Sequence, residues 1–128
     1  MQENHLFEYA ILRVVPRVER EEFLNVGVIV YCRKPAFLQT IFSLNEERLL
    51  AIFPQIIIKE IQTHLQALEQ ISAGNLQAGP IAAIDMASRF RWLTAKRSTV
   101  VQTSVVHPGL CKDPLATLIR LHEQLVMC

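Results

Sequence analysis

The sequence predicts a single α+β domain with two layers, in which a mostly antiparallel sheet of about four strands carries helices mainly on one face. Two runs rich in β-branched and aromatic residues enclose a polar, proline-marked break at residues 16–22, and this pattern is typical of a β-hairpin. Apolar residues then recur at helical spacing. The 128 residues suit one domain, 1–128, because a chain of this length can bury one core without metals or disulfides.

Four segments read as strands, and the first two are apolar on both faces, which is typical of central strands. The fourth is β-branched, STVVQTSVV, and we expect Pro108-Gly109 to end it. The predicted strands lie near residues 7–15, 23–32, 37–42 and 98–106.

The polar residues of the first hairpin set its predicted register. If Val15 faces Phe23, Arg13 faces Asn25 and Ile11 faces Gly27. The small glycine would allow another backbone or a bulky side chain to approach. The same register pairs Tyr9 with Ile29 and Phe7 with Tyr31.

Helix signals follow the third strand. Ser43 and Glu46 have capping-box spacing, and Asn45 is a competing N-cap. Pro80 could be the first position of a later helix, and Asp113 with Pro114 marks the start of the last. The predicted helices lie near residues 44–53, 55–73, 81–92 and 114–127.

Composition limits the classes of function. Thirteen basic and twelve acidic residues give a formal charge of +1, which argues against coating nucleic acid or membranes by bulk charge. Three cysteines without paired spacing, and a start without a signal-peptide pattern, lead us to expect a cytoplasmic protein. No apolar run approaches the length of a membrane span. We also expect no cofactor or metal, because phosphate-loop, CxxC and HExxH patterns are missing from the sequence.

Arg13 lies within an apolar strand, where a guanidinium needs a partner. Glu21, Glu22 or Asn25 is the favoured structural partner, and an anionic ligand is the alternative. In the adjoining loop, Arg17 and Arg20 alternate with glutamates, which is typical of a solvated charged loop.

A second basic cluster surrounds Trp92. Residues 86–112 carry five positive residues and no acids, a local charge of +5. An aromatic among arginines could stack on a base while the cations meet phosphates. Alternatively, Phe90, Trp92 and Leu93 enter the core while the arginines are solvated or bind the acidic loop. The positive residues are Arg89, Arg91, Lys96, Arg97 and Lys112.

His107 and Cys111 place an imidazole and a thiol four residues apart around a proline. A nucleophile needs a base within hydrogen-bond reach, and a metal needs three or four ligands. Sequence proximity secures neither, so the reactive-thiol and metal hypotheses are weak. His122, on the apolar stripe of the last helix, is more typical of a hydrogen-bonded, partly buried histidine.

Two segments, FEYAILRVVPRVEREEFLNVGVIVYC and RFRWLTAKRSTVVQTSVVHPGL, resemble a bacterial family catalogued as domain of unknown function 3037. The pattern depends on residues that include Arg13, Asn25, Trp92, Gln102 and His107, and the resemblance covers essentially the whole chain. It departs from the family at Lys96 and Val105, where prolines are expected. The resemblance implies companions similar to the kinase-like HipA toxin, and it suggests that the two segments meet to form one polar site.

The leading hypothesis is therefore a non-enzymatic interaction module that binds a protein partner, with a HipA-like kinase as one candidate. Nucleic-acid or nucleotide-phosphate binding by residues 89–97 is the second hypothesis. The third is an enzyme whose Arg13, Arg17, Glu22 and His107 converge in a pocket. The predicted binding residues are Arg13, Arg17, Arg20, Glu22, Asn25, Arg89, Arg91, Trp92, Arg97 and His107.

Overall fold

The computed structural model describes residues 4–127, which form an antiparallel sheet of five strands and four α-helices. The predicted α+β class is confirmed. The strands are β1 (His5–Val14), β2 (Leu24–Cys32), β3 (Phe37–Phe42), β4 (Val101–Thr103) and β5 (His107–Cys111). The helices are α1 (Glu46–Ile52), α2 (Ile58–Ser72), α3 (Met86–Leu93) and α4 (Pro114–Leu125).

β1 is the central strand of the sheet. The order is β3-β2-β1-β4, and β5 also pairs with β1. β4 lies beside residues 12–14 and β5 beside residues 5–9, so the two short strands follow each other along one edge of β1. Between them, the Ser104 amide donates to the Ile11 carbonyl at 2.8 Å, and the Ser104 hydroxyl accepts from the Ile11 amide at 2.8 Å.

The strand predicted near residues 98–106 is the shorter β4, and a fifth strand, β5, follows it where the sequence predicted a strand end. Pro108 and Gly109 lie within β5. Gly109 faces Phe7, and a Cβ atom there would lie 2.6 Å from the phenyl ring. The glycine is needed for close packing against an aromatic ring, and this need cannot be distinguished from a turn signal in the sequence.

The hairpin of β1 and β2 contains a β-bulge that the sequence did not predict. Arg13 faces Asn25 as predicted, but the register shifts between Leu12 and Arg13. Gly27 consequently faces Leu12 and not Ile11. A bulge adds one residue to one strand and moves the following side chains to the opposite face. Tyr9 and Phe7 therefore face Val30 and Cys32 in place of the predicted Ile29 and Tyr31.

The sheet is covered on both faces. One core contains Leu12, Leu65 and Phe90 and lies under α1, α2 and α3. The other core contains Val28 and Leu118 and lies under α4. Three of the four helices share one face, and α4 adds a layer on the opposite one, which we call the α4 face.

The first three helices begin later than the sequence predicts. Asn45 is the N-cap of α1, since its side chain accepts from the Arg48 amide at 3.0 Å. The predicted competitor Ser43 instead forms a hydrogen bond with His122. Pro80 opens a short 3-10 turn, and the helix predicted near 81–92 begins only after its N-cap, Asp85. The predicted cap Asp113 is confirmed.

Adding a methyl group at Gly27 is expected to destabilise the fold. The added Cβ would lie 2.7 Å from the Ile41 carbonyl oxygen and 2.9 Å from the Phe42 Cβ, so β3 would have to move. We expect Gly27→Ala to lower the free energy of unfolding by about 1–3 kcal/mol, measured by urea denaturation. Gln66→Ala on the exposed side of α2 is the control, with a change within about 0.5 kcal/mol. Equal stability of Gly27→Ala and wild type would contradict this account of the glycine.

Acidification is expected to destabilise the fold through His122. This side chain is 7% exposed, and its Nε2 lies 2.8 Å from the Ser43 hydroxyl. Burial lowers the pKa of His122, and the neighbouring Glu123 opposes this shift. The unfolded chain therefore binds a proton that the folded chain does not, so stability falls as the pH drops below about 6.5.

Each such proton changes the free energy of unfolding by up to about 1.4 kcal/mol per pH unit. Burial also lowers the pKa of His64, so it contributes in the same direction. Urea titrations between about pH 7.5 and pH 5.5 should show a smaller slope for His122→Gln than for wild type. A slope that His122→Gln leaves unchanged would refute the assignment.

Candidate functional site

Three polar side chains form a row across three strands on the α4 face. Arg13 of β1 faces Asn25 of β2 on one side and Gln102 of β4 on the other. Directly opposed residues of antiparallel strands share a face of the sheet. We call residues 7–32 and 89–110 the two arginine-rich segments. The fold thus brings Gln102 of the second segment into one row with Arg13 and Asn25 of the first.

Arg13 does not have the carboxylate partner that the sequence predicted. Its guanidinium carbon lies 4.1 Å from the centroid of the Phe23 ring, and no carboxylate of residues 4–127 forms an ion pair with it. Its Nε is buried without a hydrogen-bond partner. Burial lowers the pKa of Arg13, which is the direction expected for a cation that loses water.

The favoured partner residues have other roles. Glu22 pairs with Arg20, and Glu21 adopts a left-handed backbone conformation with φ of 55° at the end of the loop turn. Asn25 faces Arg13, but its Nδ2 donates to the Leu125 carbonyl at 3.3 Å and its Oδ1 is buried without a partner. Asn25 therefore joins β2 to the end of α4.

His107 lies on the α4 face but away from Arg13. It faces Tyr9, and the two ring centroids are 5.2 Å apart. Tyr9 precedes Arg13 by four residues, or about 13 Å along a strand. His107 and Cys111 have the same separation along β5, so the imidazole is not within hydrogen-bond reach of the thiol. Burial raises the pKa of the Cys32 thiol to about 11, with a smaller contribution from Cys111, which disfavours the reactive thiolate.

A cleft opens at the end of the sheet where β1 and β2 are joined. Its volume is about 770 Å³, and the α1–α2 connection forms its apolar wall. Three of the predicted residues line it: Arg17, Arg20 and Glu22. Arg17 pairs with Glu19 at 2.9 Å, and Arg20 pairs with Glu22. Both pairs are exposed, as predicted for a solvated charged loop.

Arg97 closes the end of α3. It donates to the carbonyls of Leu93, at 3.2 Å, and of Trp92, and its guanidinium carbon lies 4.4 Å from the centroid of the Trp92 ring. His64 lines the cleft. Its pKa is lowered mainly by burial and to a smaller extent by the positive charge of Arg97. The second segment reaches the cleft directly through Thr99 and Val100, which line it.

The other arginines of α3 make contacts elsewhere. Arg89 donates to the Ile84 carbonyl at 3.0 Å and the Ser72 carbonyl at 3.3 Å, which ties α3 to the end of α2. Arg91 forms an ion pair with Glu8 of β1 at 3.1 Å. Neither lines the cleft, so the two arginine-rich segments meet only in part.

The apolar part of the cleft was not predicted from the sequence. Ile52, Ile57 and Val100 line it, and all three side chains are exposed. The isoleucines at 56–58 follow Pro54 and resemble the start of a buried helical stripe. Because α2 begins only at Ile58, Ile57 lies outside the helix and faces solvent.

Residues 4–127 offer no candidate for a metal site or a membrane span. Within residues 4–127, no three histidine, cysteine, aspartate or glutamate side chains are grouped as a metal site. The helices of the same residues are too short or too polar to cross a lipid bilayer.

Comparison with known proteins gives a family without an assigned activity. No curated protein matches the chain, and no solved structure matches it. One family model, described as "Protein of unknown function (DUF3037)", matches residues 9–126. This range includes most of the hairpin, the cleft and the polar row on the α4 face, and the chain therefore belongs to the DUF3037 family.

Proposed function

We propose that the protein is a non-enzymatic module that binds another protein in the cleft between the β1–β2 loop and the α1–α2 connection. The observation that carries this proposal is the exposure of three aliphatic side chains in one concavity. Ile52, Ile57 and Val100 are 47%, 57% and 40% exposed and line the cleft. Exposed apolar surface rimmed by polar residues is typical of protein interaction sites.

The charges of the rim also support a polypeptide partner. Arg17 and Arg20 are balanced by Glu22 and Glu60, which line the same cleft. A surface with balanced charges gains little from releasing the counterions of a nucleic acid. An apolar centre with a mixed charged rim is instead the usual composition of a protein interface.

The first partner to test is a kinase-like protein similar to HipA, because the family resemblance implies such companions. The fit is chemical: an apolar side chain of the partner would enter between Ile52 and Ile57, and charged neighbours would meet the rim. Burying such a side chain contributes about 1.5–3 kcal/mol, enough for one anchor residue to dominate the interaction.

The contacts give less support to the two alternative functions. One face of the Trp92 ring is covered by Arg97, and Arg89 and Arg91 form contacts within the fold. Trp92 is therefore not an open surface for stacking a nucleic-acid base beside unpaired arginines. For an enzyme, Arg13 and His107 are about 13 Å apart along the sheet. General acid–base catalysis needs groups within hydrogen-bond reach of a common substrate.

Substitutions in the cleft are expected to abolish partner binding. Ile57→Asp removes the apolar contact and buries a carboxylate in the complex, so recovery of the HipA-like kinase in a pull-down should fall at least about ten-fold. Arg20→Glu should reduce recovery by a smaller factor, since rim charges contribute less to affinity. The same pull-down from native cells, with the bound proteins identified, extends the test to other partners.

Arg33→Glu is the matched control for Arg20→Glu. It makes the same charge change at an exposed residue beyond the opposite end of β2, and recovery should remain at the wild-type level. Unchanged recovery with folded Ile57→Asp would exclude the cleft as the interface.

A further inference from the structure

We propose that Arg13 is the centre of a second binding site, on the α4 face, and that it binds an oxyanion. The site is independent of the cleft, which lies between the hairpin loop and the α1–α2 connection. Its elements are the Arg13 guanidinium, the exposed Phe23 ring that supports it and the flanking Gln102 of β4.

Arg13 differs from the other arginines of the two arginine-rich segments. Arg17, Arg20 and Arg91 have carboxylate partners, and Arg89 and Arg97 donate to main-chain carbonyls. Within residues 4–127, the Arg13 side chain donates no hydrogen bond. A guanidinium has five N–H donors, so this side chain retains its full capacity to bind an acceptor.

The stacking on Phe23 prepares the guanidinium for a ligand. Its carbon lies 4.1 Å from the ring centroid, and Phe23 is 47% exposed, so the pair lies at the surface. Stacking occupies a face of the planar group, while its N–H donors lie along the edge. Because the guanidinium plane is already fixed, less side-chain entropy is lost when a ligand binds.

No carboxylate of residues 4–127 forms an ion pair with Arg13. In the adjoining hairpin loop, Glu19 and Glu22 are paired with other arginines. Gln102 is held by a 2.8 Å hydrogen bond from its Nε2 to the Thr99 carbonyl. Arg13 is partly buried among apolar strands and has no negatively charged partner in the described part of the chain. A bound anion would supply that partner.

The ligand chemistry is a planar or tetrahedral oxyanion that offers two oxygens to the guanidinium. Carboxylates and phosphates both accept such paired hydrogen bonds. The experiment therefore has two arms, acetate and inorganic phosphate, each titrated at constant ionic strength with chloride as the balancing anion.

The readout is the Arg13 Nε–H resonance in ¹H–¹⁵N NMR spectra of the whole chain. We expect a saturable shift with at least one of the two anions, and the arm with the higher affinity identifies the ligand class. Arg13→Gln should abolish the saturable shifts of the neighbouring Gln102 and Phe23 signals. Arg13→Lys keeps the positive charge but loses the paired N–H donors of the guanidinium, so the affinity for the anion should fall about ten-fold.

Two controls separate this site from general ionic attraction and from misfolding. Arg33→Gln removes an exposed cation beyond the opposite end of β2 and should leave the affinity unchanged. Phe23→Leu keeps Arg13 but removes the stacking, and it should weaken binding without loss of spectral dispersion. A titration without saturation in both arms, or saturation that survives in folded Arg13→Gln, would overturn the proposal.

Discussion

The pairing of β1 with β2 is the interaction on which the rest of the structure depends. Both strands are buried on both faces, and every other strand joins one of them. The bulge next to Leu12 allows the hairpin to serve two cores. Gly27 faces Leu12, and the extra residue, Val26, joins the same core under α1, α2 and α3, so Asn25 stays beside Arg13 on the α4 face. Continuing the register of Leu12 and Gly27 without the bulge would pair Val26 with Arg13 and would direct both Val26 and Asn25 to the wrong face.

This central position of β1 explains why polar residues from distant parts of the chain meet. Arg13 has a neighbour on each side because β1 has a strand on each side, and one of these, β4, belongs to the second arginine-rich segment. The same edge of β1 must also accommodate β5, and Ser104 fills the gap between the two short strands. A proline is tolerated in β5 because this strand lies at the edge of the sheet, where fewer main-chain donors are needed, and Gly109 leaves room for the Phe7 ring.

The sequence predicted the features that depend on local patterns. Alternating apolar residues indicated β1, β2 and β3, and Asp113 with Pro114 marked the start of α4. The bulge could not be predicted, because Asn25, Val26 and Gly27 fit either register locally and only packing against both layers selects one. Pro108-Gly109 was misread because the close approach of Phe7 involves residues about a hundred positions apart in the chain. Similarly, Arg17 and Arg20 were identified as charges of a solvated loop, but Glu22 was expected to pair with Arg13. Ile57 falls within the helix predicted near residues 55–73, whereas α2 begins only at Ile58.

The contrast among the arginines is informative about which charges serve the fold. Arg89 and Arg97 are held by carbonyls at helix ends, where unsatisfied main-chain acceptors attract cations. Arg91 joins α3 to β1 through Glu8. Such contacts use the donors that nucleic-acid recognition would require, so a local charge of +5 does not by itself make a phosphate-binding surface. Arg13 is the opposite case: its neighbours position it without satisfying its donors. An arginine held in this way is a better candidate for ligand recognition than a larger number of arginines whose donors are already satisfied.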